Sequence, residues 1–77
     1  MNAILLERAE KWLGELGIKT HRADSMLFVN RTDMVNAIDG TAESQYGEIL
    51  SELKKGLNSP RLFWAGKDDE WLWLESY

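Results

Sequence analysis

Apolar residues recur with helical spacing near the start of the chain. The side chains that share one face on a helical projection are Leu5, Ala9, Trp12, Leu13 and Leu16. Charged side chains occupy the opposite side, as expected for a helix with one face on a core. Gly17 follows where a left-handed residue commonly ends a helix, and Ile18 is placed to fold back onto Leu13. The pattern predicts an amphipathic helix over residues 3–16.

A second helical pattern covers residues 42–56. Its apolar positions are Ala42, Tyr46, Ile49, Leu50, Leu53 and Leu57. Thr41 is expected to cap the helix at its start, and either Gly56 or Asn58 to end it. Pro60 prevents the helix from resuming.

Residues 18–30 favour extended structure between the two helices. The unbroken apolar run Met26–Val29 is typical of a central strand. In residues 18–22 apolar and polar side chains alternate only weakly, so the sequence leaves open whether residues 18–24 pair with another strand. A turn is expected near Asp24. A short helix is then expected to begin at Thr32 and to run, with Met34, Ala37 and Ile38 on one face, as far as Asp39 and Gly40.

The last seventeen residues predict a β-hairpin rich in tryptophan. Two apolar runs, Leu62–Ala65 and Trp71–Leu74, flank the turn-forming residues Gly66–Asp69. In that pairing Trp64 lies opposite Trp71. One side of the hairpin then carries Leu62, Trp64, Trp71 and Trp73, and the other carries Phe63, Ala65, Leu72 and Leu74.

Together these elements predict a small α+β fold made by one domain, residues 1–77. We expect an antiparallel sheet of three or four strands, with the two longer helices packed on one of its faces. The predicted core consists of Leu5, Ala9, Leu13, Leu16, Leu27, Val29, Ile49, Leu50, Leu53, Phe63, Leu72 and Leu74.

Both faces of the predicted hairpin are apolar, so the face that leaves the core needs a second cover. In an antiparallel sheet with one face in water, apolar and polar residues normally alternate along each strand. The cover is either another molecule, since large apolar patches mark interfaces, or a further helix or strand of the same chain. The sequence leaves both alternatives open.

Charge and composition narrow the classes of partner. The chain has 77 residues, no cysteine and a formal net charge of −4. Residues 1–38 contain equal numbers of acidic and basic residues, so the excess negative charge lies in the half that holds the hairpin. This distribution disfavours direct binding to a phosphate backbone and favours a basic partner. The absence of cysteine, of a signal-peptide pattern and of a long apolar run predicts a cytoplasmic protein without a membrane segment.

Candidate chemistry is sparse. His21 is the single histidine, and in a strand its neighbours Thr20 and Arg22 face away from it. Three consecutive acids, Asp68, Asp69 and Glu70, have ligand atoms that suit a divalent cation, but a solvated turn is the expected role for such a run. We therefore expect no catalytic residues, no metal and no cofactor.

The functional prediction is a small, acidic, non-enzymatic module that binds a protein partner. Its narrower form is an inhibitor of a nucleic-acid-processing enzyme, of the type encoded by mobile elements or phages, because compact acidic proteins can occupy surfaces that receive phosphates. The expected partner-binding residues are the anchors Trp64, Trp71 and Trp73 with the acidic residues Asp68, Asp69, Glu70, Glu48 and Glu52.

Two other hypotheses come from different classes of protein. One is a homodimer that binds a small molecule in an aromatic pocket between its subunits. The other is nucleic-acid binding through the more basic first half, where Lys19, Arg22 and Arg31 lie.

Overall fold

The helices and strands lie close to the predicted positions. A computed structural model describes the backbone of residues 3–37 and 42–77, and the side chains of residues 4–37 and 46–77. In chain order the elements are α1 (Ala3–Glu15), β1 (Thr20–Ala23), β2 (Met26–Asn30), α2 (Arg31–Ala37), α3 (Ala42–Gly56), β3 (Leu62–Lys67) and β4 (Trp71–Ser76). The predicted cap at Thr41 and the predicted end of the short helix at Ile38, Asp39 and Gly40 fall outside the described residues.

The two longer helices end in the same way, with a left-handed residue. Gly17 has φ 80°, and the next amide, that of Ile18, donates to the Leu13 carbonyl at 3.1 Å. At the end of α3, Asn58 takes this role with φ 51°, and the Ser59 amide donates to the Lys54 carbonyl at 2.9 Å. In both places carbonyls of the last helical turn gain partners. The prediction at Gly17 is confirmed, and Asn58 is the left-handed residue after α3.

The four strands form one antiparallel sheet in the order β1-β2-β4-β3. β1 pairs with β2 across a tight turn in which Asp24 has φ 55°. This settles the open question about residues 18–24, of which Thr20–Ala23 form an edge strand. Central strand β2 joins the first hairpin to the second, with Leu27 opposite Leu74 and Val29 opposite Leu72.

The C-terminal hairpin is confirmed, but the predicted register is wrong. Trp64 lies opposite Leu74, not Trp71, and Gly66 lies opposite Trp73. Gly66 and Lys67 belong to β3 rather than to the turn, and Ala65 forms a bulge between the two stretches of regular pairing. An odd shift in register exchanges the faces of a strand, so Trp64 is on the opposite side of the sheet from Trp71 and Trp73.

One face of the sheet carries the hydrophobic core and the helices. Buried side chains from α1, α2 and α3 cluster with alternate residues of β2 and β4 and with the start of β3. The sheet residues in this cluster are Leu27, Val29, Leu62, Leu72 and Leu74. The predicted packing of both longer helices on one face is therefore confirmed.

Two residues of the predicted core are wrong and two are only partly buried. Leu16 lies beyond the last turn of α1 and is 47% exposed. Phe63 alternates with the buried Leu62, so it lies on the opposite face of the sheet. Leu5 and Leu50 are partly buried and pack against the edge of the core.

Candidate functional site

The face of the sheet opposite the core, called the open face below, carries a row of aromatic side chains. The register places His21 of β1 beside Phe28 of β2, Phe28 beside Trp73 of β4, and Trp73 beside Gly66 of β3. Trp71 lies on the same face two residues before Trp73. Phe28, Trp71 and Trp73 are each partly exposed, although they belong to the sheet itself. The open face is therefore an aromatic surface that spans all four strands.

Ring contacts join these side chains into one surface. His21 stacks on Phe28, with ring centroids 4.7 Å apart and planes 6° from parallel. The edge-on contact between His21 and Trp71 has the same centroid separation, 4.7 Å. Phe28 contacts Trp73 at 5.5 Å. Aromatic pairs of this kind stabilise a structure beyond the effect of the area they bury, so these contacts hold the rings in place on a partly exposed face.

The Trp73 indole has room over β3 because its cross-strand neighbour is a glycine. A Cβ atom built on Gly66 would lie 2.5, 2.6 and 2.7 Å from Nε1, Cε2 and Cζ2 of the Trp73 indole. These three atoms lie along one edge of the ring, so this edge is packed against the Gly66 backbone. A side chain at position 66 would therefore displace the indole.

The turn between β3 and β4 is organised by Asp68. Its Oδ1 atom accepts hydrogen bonds from the amides of Trp71 at 2.7 Å and Glu70 at 2.9 Å. The Asp68 amide donates to the Trp71 carbonyl at 2.8 Å. These amide hydrogen bonds, with the Trp71 amide first, lower the pKa of Asp68, and the positive charge of Arg31 adds to the effect. Asp68 thus fixes where β4 begins.

Arg31, the first residue of α2, attaches this turn to the helical layer. Its amide donates to the Glu70 carbonyl at 2.9 Å, and its Nη1 atom donates to the Asp68 carbonyl at 2.6 Å. Its Nε atom donates to the Tyr46 hydroxyl of α3 at 3.1 Å, and this bond raises the pKa of Arg31. One side chain therefore links the turn, α2 and α3, and holds the start of β4 in its register.

We expect Asp68 to make stability depend on pH in the acid range. Its pKa is lowered from the ordinary value of 3.8 by folding, so its contribution is complete above that value and is lost as the pH falls through the folded-state pKa. The Asp68→Asn variant keeps an oxygen acceptor but no charge. Urea unfolding between about pH 2.5 and 7 should show wild type losing its advantage over this variant below about pH 4.

The matched control for this prediction is Asp69→Asn, which removes the same charge from the same turn. The Asp69 carboxylate accepts no hydrogen bond from any residue that the structure describes. Its removal should leave the acid-range loss of stability in place. Equal pH profiles for the two variants would contradict a specific role for Asp68 in the turn.

The structure divides the predicted partner-binding residues between two sides of the molecule. Trp71 and Trp73 lie on the open face. Trp64 lies on the core side, packs against the core, and donates from Nε1 to the Tyr46 carbonyl at 3.0 Å. Glu48 and Glu52 are exposed on α3, in the helical layer. One flat partner surface could not contact both groups at once. The expectation that Trp64 shares a face with Trp71 and Trp73 is wrong.

The acidic residues of the turn lie at the end of the hairpin, and the open face also carries residues that were not predicted to bind a partner. Asp69 and Glu70 are exposed at the end of the hairpin, beside Asp68. Phe28 and Glu75 lie on the open face with His21, and the sequence alone did not indicate that Phe28 and Glu75 belong to a candidate surface. The signal that identifies them is their period-two position relative to the buried leucines of β2 and β4.

Searches for other kinds of site and for relatives gave negative results. Within residues 3–37 and 42–77, no helix is long and apolar enough to cross a membrane. Among the side chains described, no group of three or more histidine, aspartate or glutamate residues is arranged to hold a metal ion.

No protein-family model matches the chain, and comparisons with curated proteins and with solved structures found no match.

Proposed function

We propose that this chain is a small non-enzymatic module that binds another protein through the open face. The observation that supports this most directly is the aromatic row formed by His21, Phe28 and Trp73, with Trp71 beside it, on the side of the sheet away from the core. Contiguous apolar surface of this kind is typical of interaction sites. Tryptophan is also the residue most enriched among those that dominate binding energy.

Charge supports a basic partner. The net charge is −4, and Asp69 and Glu70 are exposed at the end of the hairpin that carries both open-face tryptophans. Such an arrangement increases the association rate with a positively charged surface. Within this class we favour an inhibitor of a nucleic-acid-processing enzyme, of the type that mobile elements or phages encode, because the phosphate-binding surfaces of such enzymes are basic.

Replacing Trp71 and Trp73 together with alanine should abolish partner binding while the fold remains. Removal of two central aromatic anchors is expected to weaken binding by about a hundredfold or more. The partner would be captured from a lysate of the source organism, identified, purified and titrated against wild type and variant by calorimetry. Circular dichroism and a cooperative urea transition would establish that the variant is folded.

The control is the double variant Glu48→Gln with Glu52→Gln, which changes only the exposed surface of α3. It should bind the purified partner with little change in affinity. If it loses binding and the tryptophan variant keeps it, the interface lies on the helical layer and the proposal fails.

Light scattering across a concentration series tests the homodimer alternative. A monomer up to a few hundred micromolar leaves the open face available to a different protein. A dimer that the Trp71 and Trp73 variant disrupts would place two open faces together and replace our proposal with the small-molecule hypothesis. Quenching of tryptophan fluorescence by metabolites would then be the next measurement.

A further inference from the structure

We infer that His21 makes binding by the open face sensitive to pH: the face binds its partner when the imidazole is neutral and releases it when the imidazole is protonated. The inference rests on the proposed function and adds the regulation of the same surface. It depends on three features of His21: its ring contacts, its exposure at the edge of the sheet, and the charges around it.

The imidazole of His21 is one of the rings of the aromatic row. It lies parallel to the Phe28 ring, with centroids 4.7 Å apart, and meets the Trp71 ring at 78° at the same separation. Phe28 in turn contacts Trp73. A proton on His21 therefore places a positive charge in contact with two of the rings to which a partner would bind.

Solvent reaches His21 when the open face is empty. The residue is exposed, and it belongs to β1, which lies at the edge of the sheet. The ring can therefore gain or lose a proton in the free protein. A partner that covers Phe28 and Trp71 also covers the imidazole that contacts both, so binding removes this group from water.

The side chains next to His21 on the open face are uncharged. By register they are Met26, Phe28 and Asn30 of β2, with Trp71 and Trp73 of β4 beyond them. All three helices contribute to the core on the other face of the sheet. A proton on His21 thus enters an apolar part of the surface.

Charged groups surround this apolar part, but none of them neutralises His21. They are Lys19, Arg22 and Asp24 near β1, Asp33 of α2, Asp69 and Glu70 in the turn between β3 and β4, and Arg61 and Glu75 at the far end of that hairpin. The Asp33 carboxylate accepts from the Lys19 amide at 2.9 Å. Within the described part of the chain, no carboxylate forms an ion pair or a hydrogen bond with the His21 ring. A protonated His21 under a partner therefore has no counter-charge from these residues.

Protonation of His21 makes the open face costly to cover. Removing an unpaired charge from water is strongly unfavourable, whereas a neutral imidazole is covered as one more aromatic ring. The basic partner proposed above adds repulsion between like charges. Binding at acid pH therefore has to release the proton first, which weakens the affinity by up to about tenfold for each pH unit.

This change falls in the neutral range of pH. Histidine side chains ordinarily change charge between about pH 5 and 8, and perturbed cysteines are the other side chains that titrate there. His21 is the single histidine of a chain that has no cysteine. One substitution therefore removes the whole effect that this chain contributes.

The first test needs no partner. An NMR titration from about pH 8 to 5 follows the His21 ring protons and the four indole N–H signals. The Trp71 signal should shift with the same midpoint as His21, and those of Trp12 and Trp64, which pack against the core, should stay in place. In the His21→Gln variant the Trp71 signal should lose this pH dependence. If it keeps it, the imidazole is not responsible and the inference fails.

The second test measures affinity for the purified partner by calorimetry at about pH 7.5 and 5.5. Wild type should bind about tenfold more weakly at the lower pH. His21→Phe retains a ring that cannot be charged and should change less than about twofold. Glu48→Gln, which alters an exposed charge on α3, should show the same fall as wild type. An equal fall in wild type and His21→Phe would assign the pH dependence to the partner and overturn the inference.

Two further outcomes separate this inference from the proposed function. If binding depends on Trp71 and Trp73 but is the same at both pH values, the regulation by His21 is wrong and protein binding stands. If no purified protein depends on these tryptophans, both proposals fail, whatever the indole signals show.

Discussion

Replacing Leu74 with alanine should lower the free energy of unfolding by about 3–4 kcal/mol, whereas replacing its neighbour Trp73 should lower it by only about 1 kcal/mol. Leu74 is fully buried in an interior strand, between Leu27 and Trp64. Its removal leaves a cavity under the helices. Trp73 is the larger side chain, but it lies on the open face and its loss removes ring contacts rather than core packing.

Urea unfolding of the two single variants checks this prediction. A domain of this length has a free energy of unfolding of about 4–12 kcal/mol, so the loss in the Leu74→Ala variant is a large fraction of the total and should shift the urea midpoint clearly. Phe28→Leu provides a second open-face variant and should also cause a small loss. If Trp73→Ala and Leu74→Ala cost the same, the open face is packed as tightly as the core.

Replacing Trp64 with alanine should destabilise the fold by about 2–4 kcal/mol and leave the open face unchanged. Trp64 packs against the core, and its indole N–H donates to the Tyr46 carbonyl at 3.0 Å. The substitution removes both the packing and the hydrogen bond between β3 and α3. The same change at Trp71 should cost less, because Trp71 lies on the other side of the sheet.

The variant Trp64→Phe separates the two contributions. It retains most of the aromatic volume and loses the N–H group, so about 1 kcal/mol of destabilisation is expected. The purified partner should bind both Trp64 variants as it binds wild type, provided that they are folded. Loss of partner binding in Trp64→Phe with unchanged stability would mean that Trp64 belongs to the binding surface.

The helices and the positions of the strands along the chain could be predicted because their signals are local, whereas the order of the strands in the sheet could not. Leu13 and the other residues of the α1 stripe recur every three or four positions, and Gly17 supplies the left-handed end. Met26–Val29 is apolar throughout because Leu27 and Val29 lie in the core while Met26 and Phe28 lie on the aromatic open face. Each of these features depends on a few adjacent residues.

The register of the hairpin could not be predicted because interactions distant in sequence decide it. Arg31 holds the carbonyls of Asp68 and Glu70, and Asp68 binds the amides at the start of β4. These bonds move the turn beyond Gly66 and Lys67, and the extra residue Ala65 is accommodated as a bulge. A residue count between two apolar runs contains no information about Arg31, which lies more than thirty positions earlier.

The candidate site was predictable in part for the same reason. Trp71 and Trp73 stand out in the sequence of β4, and they do share a face. Phe28 is adjacent to them only because β2 lies next to β4 in the sheet, whereas Glu75 shares their face through the alternation of side chains along β4. Trp64 was grouped with them through the wrong pairing, although its environment is that of a core residue.

The bulge at Ala65 also bears on whether copies of this protein can pair edge to edge. β3 is an edge strand, and an edge with evenly spaced amides and carbonyls is a template on which further copies can add strand by strand. The unpaired residue at Ala65 interrupts that spacing halfway along the edge. A molecule that exposes tryptophans on one surface is thereby hindered from growing sideways into fibres.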